Sequence, residues 1–179
     1  MLYRNTRAIA LSLALVASAF SSTTNAHEYK VGNLIIDHPV ARATAPGARV
    51  GGGYVVIHNN GTEDDRLIGG QAEFAGKVEI HEMKVEDNIM KMRPISGGLI
   101  IPAGGMVTLA PGTNHIMFMS LSEGLKEGAE HKATLTFEKA GTIDVIFQIK
   151  SIADTLKLKG AKKMDHSKMN HSGHKKEDH

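Results

Sequence analysis

Short stretches of alternating apolar and polar residues fill the middle of the chain, and Gly and Pro stand between them. Over Thr142–Lys150, Val145, Phe147 and Ile149 alternate with Asp144, Ile146 and Gln148, the pattern of a strand with a face against a core. The same two-residue period predicts strands over Leu34–Ile36, Gly53–His58, Val78–Met83, Ile89–Met92, Leu99–Ile101, Met106–Leu109, His115–Leu121 and Lys132–Phe137. Turn signals separate them at His38-Pro39, Ala45-Pro46-Gly47, Asn59-Asn60-Gly61, Ser96-Gly97-Gly98, Pro102 to Gly105, Pro111-Gly112 and Ala140-Gly141. Many short strands with such punctuation predict an all-β sandwich or barrel. There is no long amphipathic pattern and no repeat.

The two ends read differently. Arg4 and Arg7 precede an apolar run from Ala8 to Phe20, followed by small residues up to Ala26, which is the layout of a secretory signal peptide. The run falls short of the roughly 20 residues a spanning helix needs. Residues 1–26 are therefore expected to be a cleaved signal, with the mature chain in the periplasm and not inserted in the membrane. A lipid anchor would need a Cys after the run, and the chain has none. Residues 27–152 are expected to form the domain, and 153–179 a disordered His/Met-rich tail with too few apolar residues past Leu158 to offset the entropy of ordering it.

Charge changes the picture modestly. Without Arg4 and Arg7 the chain holds 19 basic and 19 acidic residues. From Lys157 onward the sum is +4, and residues 27–156 carry −4. A neutral, exported chain with 4% aromatic residues has no nucleic-acid footprint. A monomer is expected.

The absence of Cys removes disulfides, thiol nucleophiles, iron–sulfur clusters, thiolate zinc and blue copper. Ten His and nine Met are the compositional surplus. Two segments concentrate it, His81-Glu82-Met83 and His115-Ile116-Met117, each on a predicted strand where residues two apart share a face. Ile116 and Phe118 are then expected inward, with His115, Met117 and Met119 outward. Met90 and Met92 likewise share a face. An imidazole beside a thioether, twice, suits a soft ion: thioether sulfur selects Cu(I), whereas zinc sites use Cys, His and carboxylate. Thioethers bind without losing a proton and can be exchanged one at a time, which suits a carrier. A Met on a strand is most often core filler, and Met106 is assigned to the core on that ground. Met90 and Met119 are left open between ligand and packing roles.

The spacing of His81, Met92, His115 and Met117 resembles the signature of the periplasmic copper chaperones of the PCuAC family. Ten residues separate His81 from Met92, and 22 separate Met92 from His115, one more than the family's usual count, in an interval rich in turns. The resemblance covers about Val31 to Ile152. It implies a cupredoxin-like Greek-key β-sandwich that is a binding protein, not an enzyme. It further implies one Cu(I) held by His81, Met92, His115 and Met117, with Met83 as an auxiliary or alternative ligand. The implied destination is the CuA centre of cytochrome c oxidase, reached directly or through a Sco-type protein.

The tail adds a second expectation. Met164, His166, Met169, His171, His174 and His179 make a tract of metal-binding composition. Imidazole suits Cu(II), so His166, His171 and His174, with Met169, are the candidates there; the competing reading is a solubilising tail. Two other functions are carried alongside. If cleavage exposes His27, its α-amine and imidazole could form a copper brace in a secreted oxidoreductase, with His38, His58 or His131 as third ligand by elimination. A β-sandwich adhesion module with incidental His and Met is the other. No Gly-x-Ser-x-Gly or His-Glu-x-x-His motif supports hydrolysis.

Overall fold

The computed structural model describes residues 28–158. The expected signal peptide, His27 and the His/Met tract of the tail lie outside the described residues.

Eleven strands and one short helix follow in chain order: β1 (Glu28–Val31), β2 (Leu34–Arg42), β3 (Val50–Asn59), β4 (Asp65–Ala72), β5 (Ala75–Glu86), β6 (Ile89–Pro94), β7 (Leu99–Ile101), β8 (Met106–Leu109), β9 (His115–Leu121), β10 (Glu130–Phe137), β11 (Gly141–Lys150) and α1 (Ile152–Lys157). The expected all-β sandwich is what the chain forms. Its strands run β2-β11-β10-β4-β5-β9-β3, and β3 pairs with β2 again, so the sheet closes on itself. In that ring β11 and β2 are parallel and the other pairs antiparallel. Closure leaves few free strand edges. β1, β6, β7 and β8 hang on the ring, and β6 pairs with β5 alone.

The alternation read from sequence sorts the faces. Val145, Phe147 and Ile149 are buried, and so are Ile116 and Phe118. Phe118 stands at the centre, its ring 4.9 Å from Phe74 and 5.2 Å edge-on from Phe147. Burying one such ring contributes about 1.5–3 kcal/mol. β3 approaches this cluster through Gly53, where a Cβ would stand 2.7 Å from the Phe118 ring.

Several expectations need correction. His38-Pro39 is not a turn: β2 runs through it with a bulge between Asp37 and Val40, and His38 takes the positive φ of 48° there. β4 went unread because Gly69 and Gly70 interrupt its apolar pattern. At Gly70 a Cβ would lie 2.3 Å from the Thr134 carbonyl, so the close β4–β10 pairing itself demands glycine. Met106 is not core; β8 presents it outward, opposite His58, 56% exposed. The ordered chain also runs past 152. Ser151 caps α1 by accepting from the Asp154 amide, and Thr155 is fully buried, donating to the Ile152 carbonyl and accepting from Arg42 Nε at 3.2 Å. A six-residue helix is too short to announce itself by periodicity.

Candidate metal centre

β5 and β9 pair so that His81 stands directly opposite His115, and Glu79 opposite Met117. Cross-strand partners share a face. On the other side of β5, β6 sets Met92 against Met83 and Met90 against Val85. On the other side of β9, Gly52 of β3 lies opposite Met117. One outer face of the sheet therefore carries both imidazoles and Met83, Met90, Met92 and Met117, while Ile80 and Ile116 turn to the core.

The β5–β6 connection builds this face. Asp87 and Asn88 have φ of 54° and 60°, which makes the two-residue type I′ turn that matches strand twist. The ribbon projects from the ring, with every residue of β6 exposed. A groove of about 430 Å³ opens beside it, lined by Met83, Met90, Met92, His115 and Met117 on one side and by Arg42, Tyr54 and Leu156 among others. Gly52 keeps the floor open: a Cβ there would come within 2.9 Å of the Tyr54 hydroxyl.

The two histidines are set differently. The His115 Nδ1–H donates to the Thr113 carbonyl at 3.0 Å, leaving the Nε2 lone pair free of that bond. Burial, against the pull of that carbonyl and aided by His81 and Arg42, lowers the His115 pKa below its ordinary value. The His81 ring is 5.9 Å from the His115 ring, centre to centre. Its Nε2–H donates to Glu79 Oε2 at 2.8 Å, because a carboxylate can only accept. That tautomer leaves Nδ1 as an acceptor, and this nitrogen is buried without a hydrogen-bond partner. Its lone pair is open to a ligand. Glu79 is itself ion-paired with Lys77, which, ahead of His81, holds its carboxyl below the usual range. A carboxylate behind a histidine orients the ring and raises its basicity, the usual support of a metal-binding imidazole.

Among the described residues no three His, Cys, Asp or Glu side chains gather as a metal cluster. The donors that line the groove are imidazole and thioether, a set that fits a soft ion.

The structure thus gathers His115, Met83, Met92 and Met117 at one groove, with His81 adjoining, and adds Met90, which sequence left open. Met119, also left open, pairs with Lys77 and Val50 farther along β9 and does not line the groove. His38 sits in the β2 bulge against Asp37, His58 on β3 opposite Met106, and His131 against the Phe74 ring, each on its own strand. Sequence reasoning missed Glu79, Arg42 and Tyr54. Glu79 could have been found, since it lies two residues before His81 on the same strand face.

Comparison with known proteins agrees with the fold. The LpqE-like family pattern matches residues 34–149. The apo PCuAC domain of PmoF1 is 32% identical, with a TM-score of 0.60, over 70% of this chain and 99% of that one. The PCuAC domain of PmoF2, solved with copper bound, is 29% identical, with a TM-score of 0.60, over 70% of this chain and 98% of that one. Lxx21020 of Leifsonia xyli subsp. xyli, named as a lipoprotein, is 28% identical over 109 residues, 61% of this chain and 66% of its own length. The matched part is just under two thirds of that curated relative.

Proposed function

The chain belongs to the LpqE-like family and carries a PCuAC domain, and from that premise we propose that it is an exported copper carrier and not an enzyme. Its cargo is one Cu(I), bound by His81, Met92, His115 and Met117, with Met83 and Met90 as neighbouring thioethers that can replace a ligand. The observation that carries this reading is the convergence of thioethers and His115 on a single groove, beside the unpartnered Nδ1 of His81. The copper-bound PmoF2 domain supports the choice of metal. Absence of anionic ligands supports the monovalent state, since thioethers leave the ion's charge uncompensated and so disfavour a second one.

The mature chain works in the periplasm after removal of residues 1–26, and the recipient is a Sco-type protein or the cytochrome c oxidase subunit that carries CuA. The tail beyond the described residues binds Cu(II) through His166, His171 and His174, with Met169 as an auxiliary. Open access suits transfer: Met90 and Met92 are 60% and 48% exposed, so a recipient can reach the ion's sulfur side.

X-ray absorption on the Cu(I)-loaded protein tests the site. Sulfur and nitrogen neighbours together are expected, and a shell of nitrogen and oxygen alone would refute it.

A further inference from the structure

Of the described residues that line the groove, Arg42 alone carries a permanent charge. The others are Met, Gly and further uncharged side chains, together with His115. Arg42 is held in place from two directions. Its Nε donates to the Thr155 hydroxyl of α1 at 3.2 Å, and its guanidinium carbon lies 5.8 Å from the centre of the Tyr54 ring. No carboxylate pairs with it among the described residues. Glu79, the carboxylate two residues before His81 on the same strand, is already occupied by Lys77 and His81. Tyr54 offers no offsetting anion, because burial raises its pKa and keeps the phenol neutral.

We propose that Arg42 sets the oxidation-state preference of the groove, favouring Cu(I) over Cu(II) by placing an uncompensated, immobile positive charge beside the ion. A fixed cation repels a doubly charged ion more than a singly charged one, and the repulsion is stronger in a half-buried groove than in water. The imidazoles and thioethers contribute no negative charge to cancel it. The couple is a one-electron exchange: bound Cu(II) takes an electron from an outer-sphere mediator and becomes bound Cu(I), with no proton transferred. The inference rests on the groove being the copper site. It assigns α1 a part in the chemistry, since Thr155 is what holds the guanidinium toward the groove.

The test uses the full chain with His166, His171 and His174 each replaced by Ala, so that Cu(II) binding reports on the groove. Competition with chromophoric chelators gives the Cu(I) and Cu(II) affinities, and their ratio gives the potential. In Arg42→Met the ratio of Cu(I) to Cu(II) affinity falls at least tenfold, which lowers the potential by about 59 mV for one electron. Arg42→Gln, a second neutral replacement, does the same. Arg42→Lys, which keeps the charge, stays within about threefold of the parent. An unchanged ratio in both neutral variants, with Cu(I) still bound, overturns the role of Arg42 and leaves the copper site standing. Equal losses in the Lys and the neutral variants show a packing role instead and overturn it too. If the parent binds no Cu(I), the copper-site reading fails, and this inference with it.

Discussion

His81 and His115 face each other across the β5–β9 pair with ring centres 5.9 Å apart, and each is tethered on one nitrogen only: His81 by Glu79, His115 by the Thr113 carbonyl. Tethering one nitrogen fixes each ring and frees the other nitrogen of that hydrogen bond. The pair is thereby oriented, each ring with one nitrogen outside that hydrogen bond.

Acid should act through His115. Burial lowers its folded-state pKa, so between that value and the ordinary 6.5 the unfolded chain binds more protons than the folded one. Its contribution to stability is complete above about pH 6.5 and is lost as pH falls below it. Urea midpoints of the metal-free protein should drop from pH 7 to pH 5.5, and His115→Leu should flatten that part of the curve. A variant with the parent's slope would rule His115 out as the source.

Thioether coordination predicts selective damage. Met92→Leu with Met117→Leu keeps volume and apolarity, so folding should change by less than about 1.5 kcal/mol. Cu(I) affinity should fall at least tenfold, about 1.4 kcal/mol, while Cu(II) affinity changes far less. Competition titrations with both oxidation states decide it, and equal losses count against sulfur ligands.

Adjacent glycines should give opposite phenotypes. A Cβ at Gly53 meets Phe118 at 2.7 Å and Phe147 at 3.2 Å, inside the core. Gly53→Ala should cost about 1–3 kcal/mol of stability, the usual penalty of overpacking. At Gly52 the atoms nearest a Cβ belong to the Tyr54 ring, the hydroxyl at 2.9 Å, on the groove side. Gly52→Ala should therefore spare more stability and weaken Cu(I) binding more than Gly53→Ala does. Denaturant curves beside metal titrations read both effects.

Truncation after Lys159 should leave the Cu(I) stoichiometry at one and remove one Cu(II) equivalent. Electron paramagnetic resonance of the Cu(II)-loaded proteins counts the difference, and an unchanged count would end the proposal for the tail.

The period of two made most of this fold readable. It placed His115, Met117 and Ile116 on their proper faces, and the bounds of the strand over Met106–Leu109. It failed where backbone proximity overrode side-chain pattern. No strand is read over Asp65–Ala72, because Gly69 and Gly70 interrupt its pattern, and Gly70 is glycine because a side chain there would strike the Thr134 carbonyl of the paired strand. Pro39 reads as a turn because β2 absorbs it in a bulge. Met106 fails for another reason: an apolar residue on an edge strand has two faces to choose from, and four residues hold too little pattern to choose. At the candidate site, the residues that carry donor atoms were legible from their types and spacing. Arg42 and Tyr54 were not, because they lie far from both His-x-Met segments in sequence; the pairing of β3 with β9 brings Tyr54 to the groove, and the closing of β2 onto β3 brings Arg42.

That closure has one more consequence. The seven-strand ring around Phe118 is closed by backbone pairing over an apolar core, while among the described residues β6 pairs along one edge only. On the proposed carrier role, loss of the ion would remove no contact of that core, and the same molecule would be ready to be refilled. In that role, delivery would ask the projecting ribbon to shift and would leave the ring closed.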